Sequence, residues 1–346
     1  MSEPSTNGKG LELEALGPGD KTPASTSPKM LVPLFLVPLL IVAVIVGIFW
    51  ALGSMLGQEK TVTQWIDEVE SGGVNGRWQA AAQLAAIARA NPEKLEEPAT
   101  RERLRHLFAA AGPTEPRIRQ YLAAIWTETG DPEAAPLVID GIERTQELLQ
   151  HADQARPEEV ERARGELTYY LLALGSIGNS TAEAALLKLV KDPDPHTRQT
   201  VASALGSVGR KAIKNGVAPS PELIAALRQL HDDEDAWVRM NAALSLGKVG
   251  SAEGMPTLET MLDRDWLKRQ NLQFPDDGKY PVTEHDPAAE KILSAMVTIE
   301  SLLDRPESGG SALDRATVAS AVEKAANDPN PEVQRRATAL LAKLRS

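Results

Sequence analysis

The chain reads as an all-α protein: an α-solenoid of about six helical hairpins preceded by a single transmembrane helix. Three observations carry that reading. Asp192-Pro-Asp-Pro-His-Thr-Arg198 with Leu205-Gly206-Ser-Val-Gly209 recurs 41 residues later as Asp233-Glu-Asp-Ala-Trp-Val-Arg239 with Leu246-Gly247-Lys-Val-Gly250, and a fixed period of this length is the mark of a stacked repeat. Aromatic residues make up only 4% of the 346 residues while Ala and Leu abound, which suits thin helix-on-helix packing better than a sheet needing Val, Tyr and Phe. One stretch, Leu31–Leu52, holds 22 residues without a charge, about 33 Å as a helix and enough to cross a hydrocarbon core of about 30 Å.

The elements follow in order. Residues 1–29 are rich in Ser, Thr, Pro, Gly and charge with no apolar period. Such a segment buries too little to offset the entropy of ordering, so a disordered polar tail is expected. Residues 30–56 are read as the transmembrane helix. Pro33 and Pro38 stand near its start, where proline is tolerated, and Trp50 near its far end, where an interfacial aromatic belongs. Ala51-Leu-Gly53 could instead close a signal peptide, but the apolar stretch is longer than such a segment needs. Lys21 and Lys29 precede the span and Lys60 follows it, a small excess that puts the amino terminus inside and the solenoid on the non-cytoplasmic side.

Residues 60–346 are read as the solenoid, with an irregular insertion at 265–287. In Arg77-Trp-Gln-Ala-Ala-Ala-Gln-Leu-Ala-Ala-Ile87 the apolar positions Ala81, Leu84 and Ile87/Ala88 share a helical face. Aligning Ala80, Ala81, Leu84 and Ile87 with Ala242, Ala243, Leu246 and Val249 puts Arg77 beneath Arg239. Further starts fall near Arg119, Leu167 (where arginine would be expected), Arg198 and Arg239. A last one lies near Gln334, where the arginine is displaced to Arg335, a departure that suits a terminal repeat. An acidic residue followed by proline begins a helix well, because the carboxylate caps free N–H groups and proline needs no partner in the first turn. Gly209 and Gly250 are expected at left-handed helix ends, and Gly206 and Gly247 at close helix contacts.

This loop, an Asp followed six residues on by Arg, then an Ala-rich helix ending Leu-Gly-x-Val-Gly, resembles HEAT repeats, in particular the type also seen in phycobilisome-lyase-like proteins. The match is good at 192–209 and 233–250 and looser elsewhere. The resemblance implies that Asp192, Arg198, Asp233 and Arg239 form a ladder between neighbouring loops, a structural role rather than a site.

Chemistry is hard to find. The five histidines, His106, His151, His196, His231 and His285, are isolated, with no second His at metal-pair spacing. The absence of Cys removes disulfides, thiolate metal sites and Cys nucleophiles. His231-Asp-Asp-Glu-Asp235 reads as helix-capping acids in a loop, and the run Phe274–Glu284 fails as a calcium loop because Gln273 and Pro275 stand where carboxylates belong. No catalytic residue, cofactor or metal site is therefore expected. A net charge of −11, nearly all of it beyond residue 57, argues against nucleic acid as partner. The insertion at 265–287 breaks the period and carries Trp266, Phe274 and Tyr280, which are expected either to pack back onto the stack or to contact a partner. The expected function is a non-catalytic, membrane-anchored scaffold that binds an unidentified protein along its concave helices. The alternative is a lyase- or chaperone-like helper for a cofactor or membrane complex, which calls for a deep apolar groove.

Overall fold

The computed structural model describes residues 42, 44–46, 60–112, 115–151, 155–270, 286–304 and 314–345. The chain divides into two units, residues 1–59 and 60–346. In the first, Val42 and Val44–Val46 are helical and exposed; the expected tail and the rest of Leu31–Leu52 lie outside the described residues. No helix among the described residues is long and apolar enough to cross a membrane.

The second unit is a stack of helical hairpins. In chain order, α1 (Val62–Ser71) pairs with α2 (Val74–Ala90), α3 (Pro98–Ala111) with α4 (Pro116–Thr129), and α5 (Ala135–Gln150) with α6 (Pro157–Ile177). Then α7 (Ser180–Leu187) pairs with α8 (Pro195–Lys214) and α9 (Pro221–His231) with α10 (Ala236–Lys248). Next, α11 (Met255–Met261) and the short α12 (Arg264–Arg269) pack on α13 (Pro287–Leu303), and α14 (Arg315–Ala325) pairs with α15 (Pro331–Arg345). The second members α2, α4, α6, α8, α10, α13 and α15 also lie against one another in that order, forming a continuous row. The described residues thus hold seven pairs rather than about six. The extra one is built on α13, whose sequence carries neither the arginine of the repeat start nor the Leu-Gly-x-Val-Gly turn.

Local chemistry sets the helix starts. Asp194 caps α8, its carboxylate accepting from the His196 N–H at 3.1 Å with Pro195 in the first turn. Asp235 does the same for Trp237 and Val238 at α10, and Asp286 for Ala289 at α13. Each cap satisfies N–H groups that a helix cannot satisfy itself. The small apolar faces then bury as the period requires: Ala81, Leu84 and Ala88 in α2 and Ala242, Ala243 and Leu246 in α10 are all fully buried. Burying these methyl and isobutyl groups, at about 25 cal/mol per Å² of apolar area, is the main stabilising term. Two apolar clusters result and both draw on α10, which gives Ala242 and Leu246 to the amino-terminal cluster and Met240 and Ala243 to the carboxy-terminal one.

The glycines divide differently from expectation. Gly250 has φ +84°, as a left-handed helix end demands. Gly209 does not end its helix, because α8 runs on to Lys214. A Cβ there would strike Val249, so its role is close contact, like that of Gly206 against Ser245 and Gly247 against Thr298. The apolar side chain of Ile213, packed on the amino-terminal cluster, accompanies this extra helical length.

Candidate functional site

Charges at the start of the second-row helices are consumed by the stack. The Arg198 guanidinium donates to both carboxylate oxygens of Asp233 at 2.7 and 2.8 Å and to the Asp192 and Pro193 carbonyls at 3.0 and 3.2 Å. These bonds hold Asp233 below the usual carboxylate range against the opposing effect of burial. Arg239 repeats the inner half, donating to the Asp233 and Glu234 carbonyls at 2.7 and 2.8 Å. Arg77 binds the Val69 carbonyl and pairs with Glu115.

The ladder departs from the implied pattern in four places. Among the described residues Arg239 reaches no carboxylate of a following loop, binding the carbonyls of its own. Asp192 has Gln146 as its side-chain partner, at 3.0 Å, because Leu167 fills the arginine position of the preceding repeat. Arg119 is not a rung: it is buried over the Phe108 and Tyr170 rings at 5.0 and 5.5 Å, its Nε and Nη2 unpartnered. At the last loop Gln334, not Arg335, takes the arginine's place, donating to the Asp328 carbonyl at 2.6 Å. There the bridging cation comes from α12: Arg264 makes two bonds to Asp286, both 2.8 Å, and two to Asp328, both 2.7 Å. It lowers Asp286 to about 2.

Of the three aromatic residues expected to pack back or to meet a partner, Trp266 sits on α12, half-buried against the carboxy-terminal cluster, its backbone N–H donating to the Asp263 carboxylate at 2.9 Å. Phe274 and Tyr280 lie outside the described residues.

The opposite edge of the stack is built differently. The carboxy-terminal ends of α4, α6 and α8 surround a cleft of about 640 Å³. Its cations are Arg210, Lys211 and Lys214, all supplied by the extension of α8 beyond Gly209, and Glu128 is the one carboxylate lining it. Lys211 donates to the Ser176 and Ile177 carbonyls at 2.8 and 2.7 Å and so caps α6. Burial, then the charges of Arg101 and Lys214, push its ammonium pKa down. Glu128 faces Arg89 at 3.8 Å, and the buried Asp131 is bound by Arg105 at 2.7 Å. Both acids thus have arginine partners, while Arg210 and Lys214 make no ion pair among the described residues. The Arg210–Lys214 run lies beyond the repeat pattern that marks the hairpins. The signal was there, in the basic residues that continue with helical spacing past a glycine expected to stop the helix.

The family profile of HEAT repeats matches residues 168–215 and 211–272, the stretch from α6 to α12. No curated protein matches the chain. Among solved structures, a phycocyanin lyase complex from Nostoc is similar at 16% identity and a TM-score of 0.45, over 83% of this chain and 95% of the other. A designed armadillo repeat protein is similar at 17% identity and TM-score 0.36, over 82% and 99%. Human deoxyhypusine hydroxylase is similar at 15% identity and TM-score 0.31, over 85% and 99%. The profile match makes this stretch a run of HEAT repeats in an all-helical solenoid.

Proposed function

We propose that the protein is a non-catalytic HEAT-repeat scaffold, anchored to a membrane through Leu31–Leu52, that holds another protein against its helical stack on the non-cytoplasmic side. The observation that carries this reading is the stack itself: α2 to α15 form one unbroken row, and an extended row of helices offers many shallow contacts to a macromolecule. The 22 uncharged residues of the span support the anchor. A cofactor helper would need an enclosed apolar groove, whereas the cleft at the ends of α4, α6 and α8 is lined largely by hydroxyl, amide and charged side chains, so the scaffold is the better account.

Purification of the full chain from detergent-solubilised membranes should bring a protein partner in stable proportion, and recovery of the chain alone would overturn the scaffold reading. Alkaline washing of membranes tests the anchor separately: the chain should stay with the lipid, and its release would remove the anchor from the proposal. Reporter fusions at both termini test the orientation.

A further inference from the structure

The cleft at the ends of α4, α6 and α8 carries charge that the fold does not use. Lys211 alone suffices to cap α6. Arg210 and Lys214 are exposed without a carboxylate partner among the described residues, and Arg101, close enough to depress Lys211, has a buried Nε with no hydrogen-bond partner. Lys248, the last residue of α10, has its ammonium pushed down first by burial and then by the charge of Arg210. Like charges gathered this way repel one another, and they do so in a chain whose net charge is −11.

Two further features narrow the ligand. The cleft hydroxyls are already committed: Thr127, Thr129 and Ser207 donate to the Ala124, Ile125 and Ser203 carbonyls of their own helices at 2.7, 3.1 and 3.2 Å. A compact phosphate would therefore find few convergent hydroxyl donors beside the cations. Acceptors, by contrast, are available, because the last carbonyls of α4 at Thr127, Glu128 and Thr129 receive no backbone hydrogen bond. Leu172 adds an exposed apolar surface to the wall. A ligand that suits this lining brings carboxylates to the cations, N–H groups to the carbonyls and some apolar surface to Leu172.

We propose that this cleft is the docking site for an extended acidic peptide segment of the protein partner. Its Asp or Glu side chains meet Arg210 and Lys214 while its backbone N–H groups meet the end of α4. The inference rests on the scaffold reading and supplies the chemistry of the partner.

The test is fluorescence anisotropy of labelled hexaglutamate with the full chain in detergent. Wild type should bind, more weakly as salt rises, and the Arg210→Ala/Lys214→Ala variant should bind about tenfold more weakly. An Arg144→Ala control, which removes an exposed cation from α5, should bind as wild type does. Equal binding by wild type and the double variant overturns the proposal. So does tighter binding of single-stranded oligonucleotide or of phosphatidylserine vesicles through the same two residues. If the double variant still co-purifies the partner and hexaglutamate does not bind to wild type, the cleft proposal falls and the scaffold stands. If wild type captures no protein yet binds hexaglutamate through these residues, the scaffold falls and the cleft's preference stands.

Discussion

The two edges of the row of second helices use charge in opposite ways. At the amino-terminal edge, Arg77, Arg198 and Arg264 each reach a carboxylate in a following loop, and the pairs there are largely shielded from water. At the carboxy-terminal edge, Arg210 and Lys214 make no ion pair among the described residues. Charge that is paired and desolvated fixes the register of the hairpins, since removing one partner strands the other. Charge left unpaired in water costs the fold little and stays available to a ligand. The first edge is built for assembly and the second for recognition.

Mutations at the two edges should separate these roles. The largest effect is expected for Arg264→Ala, which leaves Asp328, only 3% exposed, and Asp286 without their cation. A loss of about 3 kcal/mol is expected in urea unfolding, and a change below about 0.5 kcal/mol would erase the distinction between the edges. Arg198→Ala should cost less, about 2 kcal/mol, because it strips the cation from one carboxylate where Arg264→Ala strips it from two.

Acid sharpens the first case. Asp286 is held at about 2 when folded, below the roughly 3.9 of a free aspartate, so its contribution is fully present above about pH 4 and is lost as pH falls towards 2. The gap in melting temperature between wild type and Arg264→Ala should therefore narrow over that window, and a constant gap would assign the effect to packing. Gly250→Val, at φ +84°, should cost about 1–2 kcal/mol through backbone strain with no charge involved. An unchanged thermal melt would count against the left-handed end. The smallest effect belongs to the cleft: Arg210→Ala/Lys214→Ala should change the unfolding free energy by no more than about 0.5 kcal/mol while weakening acidic-peptide binding.

Much of the stack was legible in the chain because its signals are local. Asp194, Asp235 and Asp286 cap the helices they precede, and Leu84 and Leu246 fall on the buried face that the helical period assigns them. The rungs were legible only where Asp and Arg stood at the repeat's own spacing, as in Arg198 and Asp233. Arg264, which joins loops 22 and 64 residues away, carries no such spacing, and neither does the use of Gln334 in an arginine's place. The cleft was missed for the same reason: Gly209 looks like a helix stop until Val249 and Ile213 are seen packing where α8 continues.

Sequence by itself determined that this chain makes repeated helical hairpins, where most of them begin and which faces they bury, since period and capping act over a few residues. Only the tertiary structure decided which charges pair and which remain free. A guanidinium's fate depends on a carboxylate brought within about 3 Å by the stacking of separate hairpins, and no local pattern encodes that meeting.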